Sequence, residues 1–177
     1  MSTQTETIGP MFAASCRLGL GYADRLLAGV SSDQFAKFAQ VGDQLIESNH
    51  PCFILGHLSL YPCRVVAEHG FDATPILPSD EFVRVFNKDA KCVHDSDGTI
   101  YPPMDLVVSK FRSTYERAIE ALESADDSNF HQPNANEAMR AKFPTVGAMH
   151  GFYVGGHIMM HMGQISAWRR MMGLGPA

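Results

Sequence analysis

From Pro10 onward, apolar residues recur at helical spacing. Met11, Phe12, Leu18, Tyr22, Leu26 and Leu27 repeat until Gly29 offers a stop, which predicts a first helix over residues 10–29. Pro10 suits a first helical position, while Gly19 and Gly21 weaken intrinsic helicity and mark places where another backbone can approach closely. Residues 31–49 carry a shorter pattern interrupted at Gly42, and they read as a short helix or turn followed by a connector. A second helix runs from Pro51 through CFILGHLSLYPCRVVAEH to Gly70, with Pro62 expected to kink or break it near Leu58. Residues 71–103 are rich in Asp, Pro and Gly, with one helix-like run, DEFVRVF, and read as a long excursion over one end of the domain. Pro103 opens a third helix in which Leu106, Val107, Phe111, Tyr115, Ile119 and Leu122 repeat at three and four residues, with Arg112 and Glu116 paired outside, ending near Ala125. After the polar loop DDSNFHQPNANEAM the pattern is helical from Pro144 to Met172, capped by Gly173. Nearly thirty residues would span about 43 Å at ~1.5 Å per residue, so the glycine pair 155–156 offers a place for a break, with residues 157–172 as one rigid piece.

Four substantial helices with almost no strand pattern predict an all-α chain, a helix bundle in which ligand and metal sites lie between facing helices. A length of 177 residues fits a single domain over 1–177, and 45% hydrophobic with 19% charged residues are ordinary globular values. With 14 Lys+Arg against 19 Asp+Glu, a formal charge of -5 and no basic cluster, phosphate backbones are repelled and nucleic acid is not an expected partner. Apolar stretches break well before the ~20 residues a bilayer needs, so no membrane partner is expected. The start, MSTQTETIGP, has neither a basic n-region nor an apolar h-region, and the expectation is a cytoplasmic protein. Cys16, Cys52, Cys63 and Cys92 show no C-x-x-C pairing. Cys52 and Cys63 would lie about 16 Å apart on one helix, too far for a disulfide, and reduced thiols are expected.

The histidines carry the candidate chemistry. His157 and His161 stand one turn apart on one face of the last helix, a spacing that lets two imidazoles grip one divalent ion. His57 lies in the most apolar stretch of the chain, where an imidazole needs a partner. Taken alone it reads as a hydrogen-bonded core histidine. Beside the pair it reads as a third ligand, and three ligands leave one coordination position open. His150 shares the stripe of His157, Gln164 and Trp168 but lies roughly 10 Å along the axis from His157, so it is a pocket-lining or capping residue and not a ligand of the same ion. His94 and His131 fall in polar loops and read as solvent-exposed, His69 as an imidazolium at the negative end of the second helix, and His50 as part of a cap. Methionines around the motif, among them Met159, Met160 and Met162, read as packing residues.

The segments NHPCFILGHL and, about a hundred residues later, HIMMHMGQISAWRRMMGLG resemble the DinB-like (YfiT-like) metalloenzyme superfamily, directly over about a quarter of the chain. That resemblance implies an up-down-down-up four-helix bundle holding a divalent metal, commonly zinc or nickel, on three histidines that map onto His57, His157 and His161. It also implies a homodimer and a metal-dependent transferase or isomerase that uses a low-molecular-weight thiol on a small-molecule substrate. The excursion over 71–103 departs from the family pattern.

An open position on the metal can hold water or a thiolate and lower its pKa. Gln164 can hydrogen-bond a ligand histidine or tether a neighbouring helix. Asp43, Glu47 and Glu68 are candidate bases by sequence proximity, each also readable as a surface or capping carboxylate. Arg64 and Arg169 can hold a carboxylate-bearing thiol or simply face solvent. Beside the thiol-dependent enzyme stand two rivals, a non-catalytic metal- or ligand-binding bundle and a metal-dependent hydrolase that needs no thiol.

Overall fold

The computed structural model describes residues 7–177, so the first six residues, on which part of the leader argument rests, lie outside the described residues. The chain is predominantly helical, with 60% helix and 5% strand. Helix α1 spans Ile8–Leu27. The carboxylate of Asp127 accepts from the Ile8 N–H, meeting one of the donors that a helix start leaves free. Pro10 is therefore the third helical residue and not the first. A Cβ added to Gly19 would come within 2.8 Å of the Ile158 side chain, and Gly21 has nothing within 4 Å, so neither glycine meets the neighbouring backbone expected there.

The short helix α2, Ser32–Phe35, is followed by a hairpin that the sequence did not suggest. Strands β1 (Ala39–Val41) and β2 (Gln44–Ile46) pair antiparallel, Val41 opposite Gln44, around a two-residue turn. Gly42 takes a φ of 59° at the first central position, which only glycine adopts without strain.

The second helical segment breaks at Pro62 as expected, giving α3 (Pro51–Leu58) and α4 (Pro62–Glu68). His50 caps α3, its Nδ1 accepting from the Phe53 N–H at 3.2 Å while Nε2–H donates to the Val93 carbonyl at 3.0 Å. Within the excursion lies α5 (Asp80–Phe86), its N-terminus capped by Ser79. Helix α6 runs over Met104–Glu123, and α7 over Asp127–Phe130. Arg112 does not pair with Glu116 along α6. It crosses to Asp24 on α1, a neighbour that helical spacing alone does not reveal.

The final segment is not one continuous α-helix. Helix α8 (Val146–Gly151) passes into a π-helical turn over Phe152–Gly156, and α9 (His157–Met171) continues from it. Helix α1 packs on α6 and α9, and α3 packs on both α6 and α9. Trp168, Tyr115, Phe111, Phe86 and Phe35 are fully buried in the core. Trp168 also donates its indole N–H to the Lys37 carbonyl at 2.9 Å, fastening α9 to the segment before β1. Among the described residues no helix is long and apolar enough to cross a membrane.

Candidate metal centre

The break between α3 and α4 and the π turn before α9 meet at one place in the interior. His57 sits on the last turn of α3, while His157 and His161 occupy the first turns of α9. One ligating nitrogen from each lies within 4.8 Å of the others, and the residues retain 8%, 5% and 7% exposure, so the cluster is buried.

Two of the three rings are held in a defined tautomer. His57 Nδ1 is 2.9 Å from the Phe86 carbonyl, which can only accept, so the proton sits on Nδ1 and the Nε2 lone pair is free to face the cluster. His161 Nδ1 donates in the same way to Gln164 Oε1 at 2.8 Å, and Gln164 is itself 3.4 Å from Asn49 Nδ2. His161 Nε2 and His157 Nε2 approach to 3.1 Å. His157 Nδ1 is buried and has no partner among the described residues. Burial lowers the pKa of all three rings. The neighbouring imidazoles add to this at His157, which falls to about 3, while the Phe86 carbonyl and Gln164 oppose it at His57 and His161. The rings are therefore neutral near pH 7, the state in which imidazole binds a metal. Neutral nitrogen donors, buried and converging, with two outer N–H groups fixed by oxygen acceptors, are the arrangement that holds zinc and similar ions. The residues present fit such an ion.

Phe86 escaped the sequence reading because its contribution is a backbone oxygen. The signal available was Gly56, where any Cβ would overlap the Phe86 ring. Tyr61 was also missed. Its O–H donates to His57 Nε2 at 3.1 Å, and its ring stands edge-on to His157 at 4.7 Å. Burial pushes this phenol up to about 12, so it stays protonated. Phe152 of the π turn stacks on His157 at 5.0 Å.

His150 and Arg64, proposed from sequence as lining the same site, lie in an adjoining cluster. Arg64 Nε donates to Glu68 Oε1 at 2.6 Å, Glu68 Oε2 accepts from His150 Nε2 at 2.7 Å, and His150 Nδ1 is 3.1 Å from His69 Nε2. His150 is fully buried, neither a surface cap nor a neighbour of His157, because the π turn leaves it on the face that meets the end of α4. Burial, reinforced by His150, lowers His69 to about 4, so it is neutral and not the imidazolium expected at a helix end. Burial alone would raise Glu68, but the bonds from His150 and Arg64 outweigh it and leave the carboxylate lowered. Glu68 is thus tied into this cluster, while Asp43 and Glu47 are exposed.

Arg169 is neither exposed nor at the site. It is 8% exposed and donates to the carbonyls of Leu26, Ala28, Leu174 and Gly175, tying the C-terminal tail to the end of α1. His94 is part-buried, accepting from the Phe38 N–H at 3.0 Å. The four cysteines are free thiols. A cleft of about 580 Å³ lined by Asp33, Asp95, Tyr101 and Met104 is formed without any of the three histidines.

The chain matches no protein-family model, no curated protein and no solved structure.

Proposed function

We propose that this protein is a metal-dependent enzyme of the DinB-like superfamily, in which α1, α3–α4, α6 and α8–α9 form an up-down-down-up four-helix bundle. His57, His157 and His161 would hold one divalent ion, zinc or nickel, and the reaction is a thiol-dependent transfer or isomerisation of a small molecule. The observation that carries the reading is the convergence of three neutral imidazoles, two of them with Nδ1–H fixed by oxygen. A bound ion would supply a Lewis acid that makes a thiol or water in its open position nucleophilic near neutral pH. The chain's own residues do the rest. Phe86 and Gln164 aim two of the ligands, and Phe152 and Tyr61 pack against the rings and restrict water.

Elemental analysis of protein purified without added metal tests this reading, with about one divalent ion per chain expected. His157→Ala should lose both the ion and any turnover. A substrate panel assayed with and without a low-molecular-weight thiol then separates the classes. Turnover only with thiol supports the transfer reading, turnover of activated esters without thiol marks a hydrolase, and no turnover with a lowered melting temperature on metal removal marks a structural ion.

A further inference from the structure

Tyr61 stands on the break between α3 and α4, four residues after His57 and immediately before Pro62. Because His57 gives its only N–H to Phe86, the nitrogen that accepts from Tyr61 is the lone-pair nitrogen turned toward His157 and His161. The phenol therefore stands beside the histidine cluster, with its proton aimed at the atom that a metal would take. A metal on that nitrogen displaces the hydrogen bond, and the O–H, still held beside the cluster, must find another acceptor.

What holds Tyr61 there is a row of packed side chains. Its ring lies 4.9 Å from that of Tyr153, and the Tyr153 hydroxyl is beside the Arg64 guanidinium. Arg64 is fixed by Glu68, and Glu68 by the fully buried His150. The Arg64 and Glu68 side chains are partly exposed and paired with each other, His150 is fully buried, and together they back one half-buried tyrosine.

We infer that Tyr61 donates a hydrogen bond to the ligand that fills the position left open beside His57, His157 and His161, a thiolate sulfur or a hydroxide oxygen. Tyr153, Arg64, Glu68 and His150 act through it as positioning residues. The inference rests on the metal site proposed above, and no bond is made or broken in the step it describes. A phenol in this place favours ligands that arrive as anions, since an anionic acceptor strengthens the hydrogen bond.

The test compares wild type with Tyr61→Phe, both loaded with cobalt(II), using chelator competition for the metal and 2-mercaptoethanol as the probe, followed by its thiolate-to-cobalt absorption. Tyr61→Phe should bind cobalt at least as tightly as wild type, because the competing hydrogen bond is gone, and bind the thiol about three- to tenfold more weakly. Glu68→Gln keeps the phenol but loosens its backing, and should weaken the thiol two- to threefold with cobalt affinity unchanged. Equal thiol affinity in wild type and Tyr61→Phe overturns the inference, as does a loss of cobalt affinity beyond tenfold, which would make Tyr61 a ligand or a scaffold. A wild-type protein that takes up no cobalt refutes the metal site and this inference with it, whereas a loaded protein indifferent to Tyr61→Phe refutes the inference alone.

Discussion

Adding one methyl group to Gly56 should damage the histidine cluster without touching a histidine. Ordinarily Gly→Ala inside a helix stabilises by about 0.5–1 kcal/mol. At Gly56 the new Cβ would overlap the Phe86 ring, which is fully buried against Phe82 (4.6 Å between ring centroids), Tyr101 (5.7 Å) and Phe53 (6.3 Å). With no space behind it, the ring must carry its backbone along, and overpacking of this kind costs about 1–3 kcal/mol. After the helical gain is subtracted, a net loss of about 0–2.5 kcal/mol remains, or up to roughly 10 °C in Tm for a domain of this size. The Phe86 carbonyl also leaves its 2.9 Å contact with His57 Nδ1, and loss of such a partner typically weakens metal binding about 10–100-fold. Thermal unfolding by circular dichroism and zinc competition against a chromophoric chelator measure the two effects. Gly21→Ala is the control, since nothing lies within 4 Å of the added Cβ, and it should be stabilising and leave zinc affinity unchanged. If Gly56→Ala behaves like Gly21→Ala in both assays, the Phe86 carbonyl does not orient His57.

Other outcomes can be stated as directly. Gln164 is exposed, so Gln164→Ala should leave Tm within about 1 °C of wild type while lowering zinc affinity about tenfold by the same competition assay. His50 has its pKa lowered from 6.5 to about 4, burial outweighing its bond to the Val93 carbonyl, so the unfolded chain binds the proton more readily. The stability this gives is complete above pH 6.5 and is lost as pH falls toward 4, up to about 3 kcal/mol in urea unfolding. His50→Asn, which can still cap α3 but does not titrate there, should make that slope shallower while leaving the share from His69 and the clustered histidines, and an unchanged slope would assign the acid sensitivity wholly to those. Arg169→Met strips the donors from four carbonyls and should cost about 1–3 kcal/mol by chemical denaturation, with zinc affinity unaffected.

The long helical segments were legible because each repeats apolar positions over several turns, and Pro51, Pro62, Gly29 and Gly173 mark their ends. The hairpin was not, because strands of three residues are too short to show an alternation. At the site, the i, i+4 histidine pair and a lone histidine in an apolar run were visible as residue types at a spacing. Their supports were not. Phe86 acts through a carbonyl that any residue could supply, and the Tyr-Pro pair at 61–62 read as a helix breaker, hiding a phenol that the break points at the histidines. Arg169 read as exposed because its partners are backbone oxygens, which leave no mark in the side-chain pattern. His150 was placed on the stripe of His157 by counting at 3.6 residues per turn, a count that fails across residues 152–156.

That wider turn fixes the phase between two polar clusters on one rod. Each residue of a regular helix advances about 100° and each residue of a π turn roughly 80°, so winding residues 152–156 at the ordinary pitch, with none removed, would swing His157 and His161 through roughly 90° relative to His150. Either the paired imidazoles would lose sight of His57, or His150 would abandon Glu68. A regular helix of this sequence cannot serve both, so the slack wound into residues 152–156 is what lets one unbroken rod present each cluster to its own partner.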